Sequence, residues 1–289
     1  MIKRRIYGFL KLIRLGVSLF GCISLIISGI LAGDLRDLQI EYLLALLIVF
    51  ISAAGVFAIN DYCDYEIDKS NNRSDRPIVL NLISRRTALY TATISFFLVL
   101  ILGIFLNVLA MIFVYINLLI FYLYSLGLKK ILFFKNVLIA YSYIATIILG
   151  TILSDVEVEP LIIYFSIMAF IVGLANEIMF DIADLEGDKK VGIKTIPMSL
   201  GIKKAAIIVV ILYMIIVILD PLPFFVNIDD SLHYDIYFLI SIMIPVLSYV
   251  ILSRSLIKNH SKENISKLRV YVFIIMQIGT VSYLLGVLI

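Results

Sequence analysis

The chain alternates between long runs of apolar residues and short polar segments over almost its whole length. A helix needs about 20 predominantly apolar residues to cross a bilayer, and nine runs reach or approach that length. With 62% hydrophobic and 16% charged residues, the composition excludes an ordinary soluble domain. The pattern predicts an all-α polytopic membrane protein with nine transmembrane helices. The runs lie near 12–33, 41–60, 87–106, 108–126, 136–153, 161–180, 205–220, 236–253 and 269–288.

The basic residues are confined to alternate connections between these runs. If the N-terminus is cytoplasmic, the cytoplasmic side receives every one of the 24 Lys and Arg residues except Arg36. Cytoplasmic loops of membrane proteins are enriched in Lys and Arg, so this distribution predicts a multi-pass cell-membrane protein with a cytoplasmic N-terminus and an external C-terminus. The cytoplasmic segments are 1–14, 61–86, 127–135, 181–204 and 254–269. The predicted external loops contain acids instead, at Asp34, Asp37, Glu41, Asp155, Glu157, Glu159, Asp220, Asp229, Asp230 and Asp235.

One motif, Asp-x-x-Asp-x-x-x-Asp, occurs twice, each time directly after an apolar run. The copies are Asp61, Asp64 and Asp68, then Asp181, Asp184 and Asp188. Positions i, i+3 and i+7 share one face of a helix, so each copy presents three carboxylates in a row. Carboxylate oxygens without nearby His or Cys suit Mg2+, which completes its coordination with water and phosphate oxygens. We therefore predict a diphosphate site with about two Mg2+ ions, to which Asn60 contributes a further ligand.

Other polar residues near the motifs are candidates for binding substrate. Glu177 and Asn176 lie about one turn before the second motif, inside the membrane end of the sixth run, where polar groups are costly and are often functional. Basic residues near the motifs are candidates for binding the diphosphate oxygens. They are Lys69, Arg73, Arg76, Lys129, Lys189 and Lys194. Because the remaining basic residues are explained by topology, we expect no nucleic-acid partner, and no obligate protein partner is evident.

The two motifs also indicate an internal repeat. Each copy follows an even-numbered span, the second or the sixth, and each is followed by a basic segment that contains proline. This predicts two similarly oriented halves, roughly 12–126 and 136–253, around a central cavity, with the ninth span added at the periphery. The whole chain, 1–289, would be one membrane-embedded domain. Because each motif loop is long for a simple connection, we expect short cap helices on the cytoplasmic side.

These segments resemble the paired aspartate signatures of the UbiA-type superfamily of intramembrane prenyltransferases. The first segment matches at Asn60, Asp61, Asp64, Asp68, Asp75, Arg76, Pro77 and Ile78. The second matches at Glu177, Asp181, Asp184, Glu186, Gly187, Asp188, Gly192, Thr195, Pro197 and Gly201. A third element, from Tyr124 to Lys129, is similar to the family's Tyr and Lys segment after the fourth span. The resemblance implies Mg2+-dependent transfer of a polyprenyl group from its diphosphate to a lipophilic acceptor drawn from the bilayer.

Two positions depart from the family pattern. The family often has Arg-Pro-x-Asn at the start of the first span, where this chain has Arg14-Leu15-Gly16-Val17. It also often has Arg before the glutamate of the second motif, where this chain has Asn176. Both positions border the polar end of the expected cavity. We expect Arg14 to lie away from both motifs and to contact a phosphorylated acceptor.

The acceptor is the part of the reaction on which the sequence leaves alternatives. The pattern most resembles archaeal digeranylgeranylglyceryl phosphate synthases, which implies geranylgeranyl transfer to geranylgeranylglyceryl phosphate to form the second ether of an archaeal membrane lipid. An aromatic-acceptor polyprenyltransferase of quinone biosynthesis is the alternative. A cation or phosphate transporter is a remote one, because a transporter places ionisable residues near mid-membrane, whereas these spans hold few charges.

Overall fold

The structure is a computed structural model that describes residues 2–31, 40–70, 73, 76–153, 159–190 and 192–288. Within these ranges the regular structure is helical and contains no β-strand. Several residues named above lie outside the described ranges: Asp34, Arg36, Asp37, Asp75, Asp155 and Glu157.

Each of the nine apolar runs corresponds to helical structure. In the described part of the chain, eight helical segments are long and apolar enough to cross a membrane, and the count is nine if the bent pair at the N-terminus is one span. This confirms the predicted all-α polytopic fold. The helices are α1 Ile2–Leu12, α2 Leu15–Leu31, α3 Ile40–Cys63, α4 Tyr65–Ser70, α5 Arg85–Gly103, α6 Val108–Leu126, α7 Phe134–Leu153, α8 Pro160–Lys190, α9 Ile196–Leu200, α10 Ile202–Leu219, α11 Leu222–Phe225, α12 Ile236–Lys258 and α13 Lys262–Leu288.

The first predicted span, near 12–33, is present as α2, and α1 precedes it as the first part of a bent pair. The axes of α1 and α2 differ by 48° across the break. Arg14 lies at this break with a φ of +44°, in the left-handed region that residues other than glycine seldom adopt. The Ser18 hydroxyl donates a 2.7 Å hydrogen bond to the Ile13 carbonyl, which satisfies an acceptor at the break.

Side-chain caps explain where three of the membrane helices begin. The Ser84 side chain accepts a 3.0 Å hydrogen bond from the backbone N–H of Thr87 at the start of α5. The Asn107 side chain accepts a corresponding 2.8 Å bond at the start of α6, and the Asp235 carboxylate accepts two at the start of α12. Each cap satisfies a backbone donor that has no partner within the helix.

The helices divide by packing into two compact units, of which the first contains residues 1–129 and 145–157. Its central element is α3, which packs against α1, α2, α5, α6 and the short α4. Gly55 permits the close approach of α3 to α5, because a Cβ at this position would lie 2.8 Å from both the Phe96 ring and the Ser95 Cβ. The first aspartate motif is therefore attached to the best-packed helix of this unit.

The second unit contains residues 130–144 and 158–289. The motif-bearing helix α8 packs against α10 and α13, and both of these also contact α12. Aromatic side chains fill the interior, where Tyr213 stacks on Tyr249 at 5.1 Å and Tyr283 packs edge-on against Phe238 at 5.2 Å. The predicted short helices are present as α4 and α9 in the two motif loops. The central cavity and the single-domain organisation stay predictions.

Candidate active site

The first aspartate motif lies at a break between two helices. Helix α3 ends at Cys63, Asp64 is a turn residue, and α4 begins at Tyr65. Two hydrogen bonds with helical spacing continue through the break: the Asp64 N–H donates to the Asn60 carbonyl at 2.9 Å, and the Asp68 N–H donates to the Asp64 carbonyl at 2.8 Å. The motif therefore keeps a nearly helical arrangement although one residue interrupts the helix.

Two arginines hold the carboxylates of the first motif. Arg76 Nη1 lies 3.3 Å from Asp61 Oδ1, and Arg76 Nε lies 3.3 Å from Asp68 Oδ2. Arg14 Nη2 also lies 3.3 Å from Asp61 Oδ1, and its guanidinium lies 4.5 Å from the centre of the Phe57 ring. The expectation that Arg14 lies away from both motifs is wrong, because the bend between α1 and α2 brings it to the first one.

Lys129 provides the cation for the central carboxylate of this motif. The Lys129 ammonium is paired with Asp64, and its side chain is buried. This lysine lies in a 3-10 turn, Leu128–Lys130, directly after α6. Tyr124, one turn earlier on α6, is half-buried. The Tyr and Lys segment therefore contributes at least its lysine to the first motif.

The remaining candidates in the first motif loop have weaker contacts with the aspartates. Lys69 is exposed, and its ammonium lies 5.7 Å from the Tyr65 ring centre. The Arg73 backbone N–H donates to the Asp68 carbonyl at 3.0 Å. Burial raises the pKa of the Asp68 carboxyl above its ordinary value, and the positive charge of Arg76 opposes this effect.

The second motif lies on one unbroken helix. Helix α8 continues to Lys190, so Glu177, Asp181, Asp184 and Asp188 occupy one face at spacings of three and four residues. Both copies were predicted to present a carboxylate row on a helix, and the second does so without interruption.

A lysine that the sequence analysis did not identify joins three acids of this row. Lys135 Nζ lies 2.6 Å from Asp181 Oδ1, 3.4 Å from Asp188 Oδ2 and 3.5 Å from Glu177 Oε1. Lys135 is the second residue of α7, at the start of the fifth span. It had been assigned only to the topology signal, and spacing along the sequence gives no sign of its partners.

Two further residues complete the second cluster. The Asn136 Nδ2 donates a 2.8 Å hydrogen bond to Asp181 Oδ2, and both side chains are almost fully buried. Arg269, on α13, lies 3.2 Å from Asp184 Oδ2 in a pair that is more than one-third exposed on each side. A polar Asn136 within a predicted span was a usable signal, since such residues are uncommon in membrane helices. The sequence around Arg269 gave no comparable signal.

Three of the predicted substrate-binding residues form no side-chain ion pair or hydrogen bond with the motif aspartates within the described chain. Lys189 and Lys194 are exposed and show no ion pair with either motif within the described residues. Asn176 is fully buried in the second unit, where its Oδ1 accepts a 2.7 Å hydrogen bond from the Tyr213 hydroxyl and its Nδ2 lies 3.2 Å from Met276 Sδ. This contact set joins α8, α10 and α13. It makes Asn176 a packing residue in this structure.

The oxygen donors of both clusters fit a hard divalent cation. Asp61 Oδ2 and Asn136 Oδ1 are buried and have no hydrogen-bond partner within the described chain, so each cluster retains an unused acceptor. The donor set consists of carboxylate and amide oxygens, which Mg2+ prefers. Within the described ranges, however, no group of three or more acidic, His or Cys side chains is arranged so that it could hold a metal ion. The carboxylates are held by Lys and Arg instead.

Comparison with known proteins identifies the family. The UbiA prenyltransferase family matches residues 21–276. A digeranylgeranylglyceryl phosphate synthase of Methanosphaera stadtmanae is 33% identical over 281 residues, which cover 97% of this chain and 99% of that protein. The synthase of the same name from Pyrococcus abyssi is 37% identical over 245 residues, covering 85% of this chain and 84% of that one.

Solved structures share the fold. One structure, from work on digeranylgeranylglyceryl phosphate synthase in membranes, is similar with a TM-score of 0.75 and 31% identity, and covers 98% of both chains. A UbiA homologue from Archaeoglobus fulgidus bound to GPP and Mg2+ has a TM-score of 0.67 at 20% identity, covering 93% of this chain and 99% of that one. The family match, the full-length relatives and the shared fold agree. The chain therefore belongs to the UbiA prenyltransferase family and is a multi-pass membrane prenyltransferase.

Proposed function

We propose that this prenyltransferase transfers a geranylgeranyl group from geranylgeranyl diphosphate to geranylgeranylglyceryl phosphate, with Mg2+ as the essential ion. The observation that carries the proposal is the similarity, over 84% or more of each chain, to enzymes named for that product. Prenyl transfer by the family removes the transporter alternative. The aromatic acceptor remains as the outcome that the experiment below must exclude.

The oxygen donors described above are the proposed metal ligands. In the first motif they are Asn60, Asp61, Asp64 and Asp68, and in the second they are Asp181, Asp184 and Asp188. Bound Mg2+, which we propose to be two ions, would neutralise the charge that develops on the departing diphosphate. The protein's part is to hold the carboxylates in fixed positions. Arg76 contributes to this by contacting Asp61 and Asp68 together.

The cations beside the first motif are the proposed ligands of the diphosphate oxygens. Arg76 and Lys129 already lie among the carboxylates, so both are positioned to contact the oxygens of a diphosphate bound at the first motif. Arg14 belongs to the same group through its contact with Asp61. We therefore assign Arg14 to the diphosphate end of the reaction, in place of the acceptor site proposed from sequence.

The chemistry that these residues support best is ionisation of the allylic diphosphate followed by capture. Neither motif contains a histidine that could activate the acceptor hydroxyl as a general base. A carbocation reacts readily with a neutral hydroxyl, so the proton can leave late. The buried Asp61 Oδ2 is an available acceptor for that proton.

We also propose that both motifs face the cytoplasm. The supporting pattern is the concentration of Lys and Arg in alternate connections, which follows the positive-inside rule. A cytoplasmic site gives direct access to Mg2+ and to a diphosphate substrate, while the prenyl chains of both substrates remain in the bilayer.

A competition between acceptors tests the proposed function. Purified protein in lipid nanodiscs would receive geranylgeranyl diphosphate, Mg2+, and equal amounts of geranylgeranylglyceryl phosphate and 4-hydroxybenzoate. Mass spectrometry then measures both products in the same tube. We expect the diether phosphate to be the dominant product, and a chelator to abolish it. A dominant prenylated benzoate would assign the chain to the aromatic-acceptor branch.

A further inference from the structure

The environment of Lys135 is unusual for a lysine near a membrane-helix start. Its side chain is 14% exposed, and its single ammonium group serves Asp181, Asp188 and Glu177 together. The other oxygen of Asp181 accepts from Asn136, so Asp181 is held on both sides. These three acids lie on one helix face, and among the described residues Lys135 is the cation that contacts all three.

The charges in this cluster do not balance. Three carboxylates surround one ammonium, so the group keeps an excess of negative charge even when Lys135 is protonated. Buried like charges that lack a counterion are strongly unfavourable. Lys135 therefore stabilises the metal-free cluster by offsetting part of its negative charge. The negative charge that remains attracts a second cation.

We infer that Lys135 is a built-in counter-cation that occupies the second motif when no metal is bound, and that it competes with a divalent cation for the same carboxylate oxygens. The inference rests on the Mg2+ requirement in the proposed function. In this exchange the cation takes the oxygens of Asp181 and Asp188, and the ammonium withdraws from them. No covalent bond is made or broken.

The chemistry of lysine suits such an exchange better than that of arginine. A lysine ammonium is a compact donor on a flexible four-carbon stem, whereas a guanidinium binds carboxylates through a rigid fork. Arg76 shows the second behaviour in the first motif, where different nitrogens contact Asp61 and Asp68. Asn136 Oδ1 is buried and has no hydrogen-bond partner in the described chain. This oxygen is therefore available to the incoming cation.

Direct binding of Mn2+ to the full chain in detergent, without any prenyl substrate, tests the exchange. Electron paramagnetic resonance of free Mn2+ gives the affinity of each variant. Removing the competitor in Lys135→Met should tighten Mn2+ binding by about tenfold, because an opposite charge beside a carboxylate changes the binding of a cation to it by about that factor or more. Lys130→Met is the matched control, because Lys130 is exposed and shows no ion pair within the described residues. Its affinity should equal that of the unmodified protein.

A second variant keeps the test decisive if Lys135→Met does not fold. Lys135→Arg retains the positive charge but holds two carboxylates through its fork, so Mn2+ binding should weaken severalfold. Unchanged or weaker binding by a folded Lys135→Met, or unchanged or tighter binding by Lys135→Arg, would overturn the exchange. Product formation by the unmodified enzyme tests the proposed function separately. If the unmodified enzyme forms product but one of these binding results is obtained, the exchange is refuted and the proposed function stands.

Discussion

Arg14 and Asp61 are separated by 47 residues in the chain, and their side chains meet at 3.3 Å. Arg14 lies at the bend between α1 and α2, while Asp61 lies near the end of α3 and is 2% exposed. The bend therefore positions a guanidinium on the first carboxylate of the first motif. This contact connects the N-terminal segment of the protein to the first aspartate motif.

We predict that Arg14→Ala lowers kcat/KM for the prenyl diphosphate by about 10- to 150-fold, since a lost hydrogen bond to a charged group costs about 1.5–3 kcal/mol. The KM for the phosphorylated acceptor should stay constant. Steady-state kinetics with each substrate varied in turn measures both values. Arg86→Ala, which removes an exposed arginine from α5, is the control. A raised acceptor KM with normal use of the diphosphate would restore the acceptor role that the sequence suggested for Arg14.

Asn176→Ala should mainly affect stability. The substitution leaves the buried Tyr213 hydroxyl without its 2.7 Å acceptor, which costs about 1–3 kcal/mol in the free energy of unfolding. Unfolding in mixed micelles measures the loss, and Asn227→Ala, in an exposed loop, serves as the control. The ratio of products in the acceptor competition should not change. A changed ratio with normal stability would show that Asn176 contacts the acceptor.

The fold was largely predictable because each membrane span leaves a local signal. All nine apolar runs coincide with helices, and the Asp181 to Asp188 row lies on one face of α8 as its spacing predicted. Hydrophobic length and helical periodicity are properties of adjacent residues. They can therefore be read without knowledge of tertiary contacts.

The partners of the carboxylates were not predictable by the same reasoning. Arg269 lies 85 residues from Asp184 in the chain, and Lys135 lies 46 residues from Asp181. Such pairs depend on how separate helices pack, which residue spacing does not encode. The bend at Arg14 escaped prediction for another reason. The positive φ of Arg14 is imposed by the packing around it, not by its residue type. The apolar run also continues past Arg14, so the sequence gives no sign of a bend there.

The orientation in the membrane predicts opposite labelling of two serine positions. Ser231 lies in the loop before α12, and Ser266 lies near the start of α13; both are exposed. In a background without Cys22 and Cys63, Ser231→Cys should react with a membrane-impermeant maleimide in intact cells. Ser266→Cys should react only after the membrane is permeabilised. The reverse pattern would place the motifs outside the cell.

The ionisation mechanism predicts a large effect of fluorine on the prenyl donor. A fluorine beside the allylic carbon destabilises the carbocation but barely hinders direct displacement. Turnover of the fluorinated geranylgeranyl diphosphate should be slower by about a hundredfold, or about 3 kcal/mol in the barrier. Its inhibition constant should match the affinity of the natural substrate. A nearly normal rate would indicate direct displacement, with Asp61 or Glu177 as the first bases to examine.

The central claim is that Mg2+-dependent transfer requires both aspartate motifs. Asp64→Ala and Asp184→Ala each remove the middle carboxylate of one row. Asp184 and Arg269 form a partly exposed pair, and such pairs stabilise a fold by only about 0–1 kcal/mol. We therefore expect Asp184→Ala to remain folded. Asp230→Ala, in the exposed loop before α12, is the matched control.

The most direct measurement is the rate of diether phosphate formation by each purified variant at saturating Mg2+, followed by mass spectrometry. We predict that Asp64→Ala and Asp184→Ala each lose at least about a hundredfold in rate, the loss expected when one charge-stabilising group is removed. The control should keep the rate of the unmodified enzyme. A folded Asp64→Ala or Asp184→Ala protein that forms the diether at the normal rate would contradict the claim.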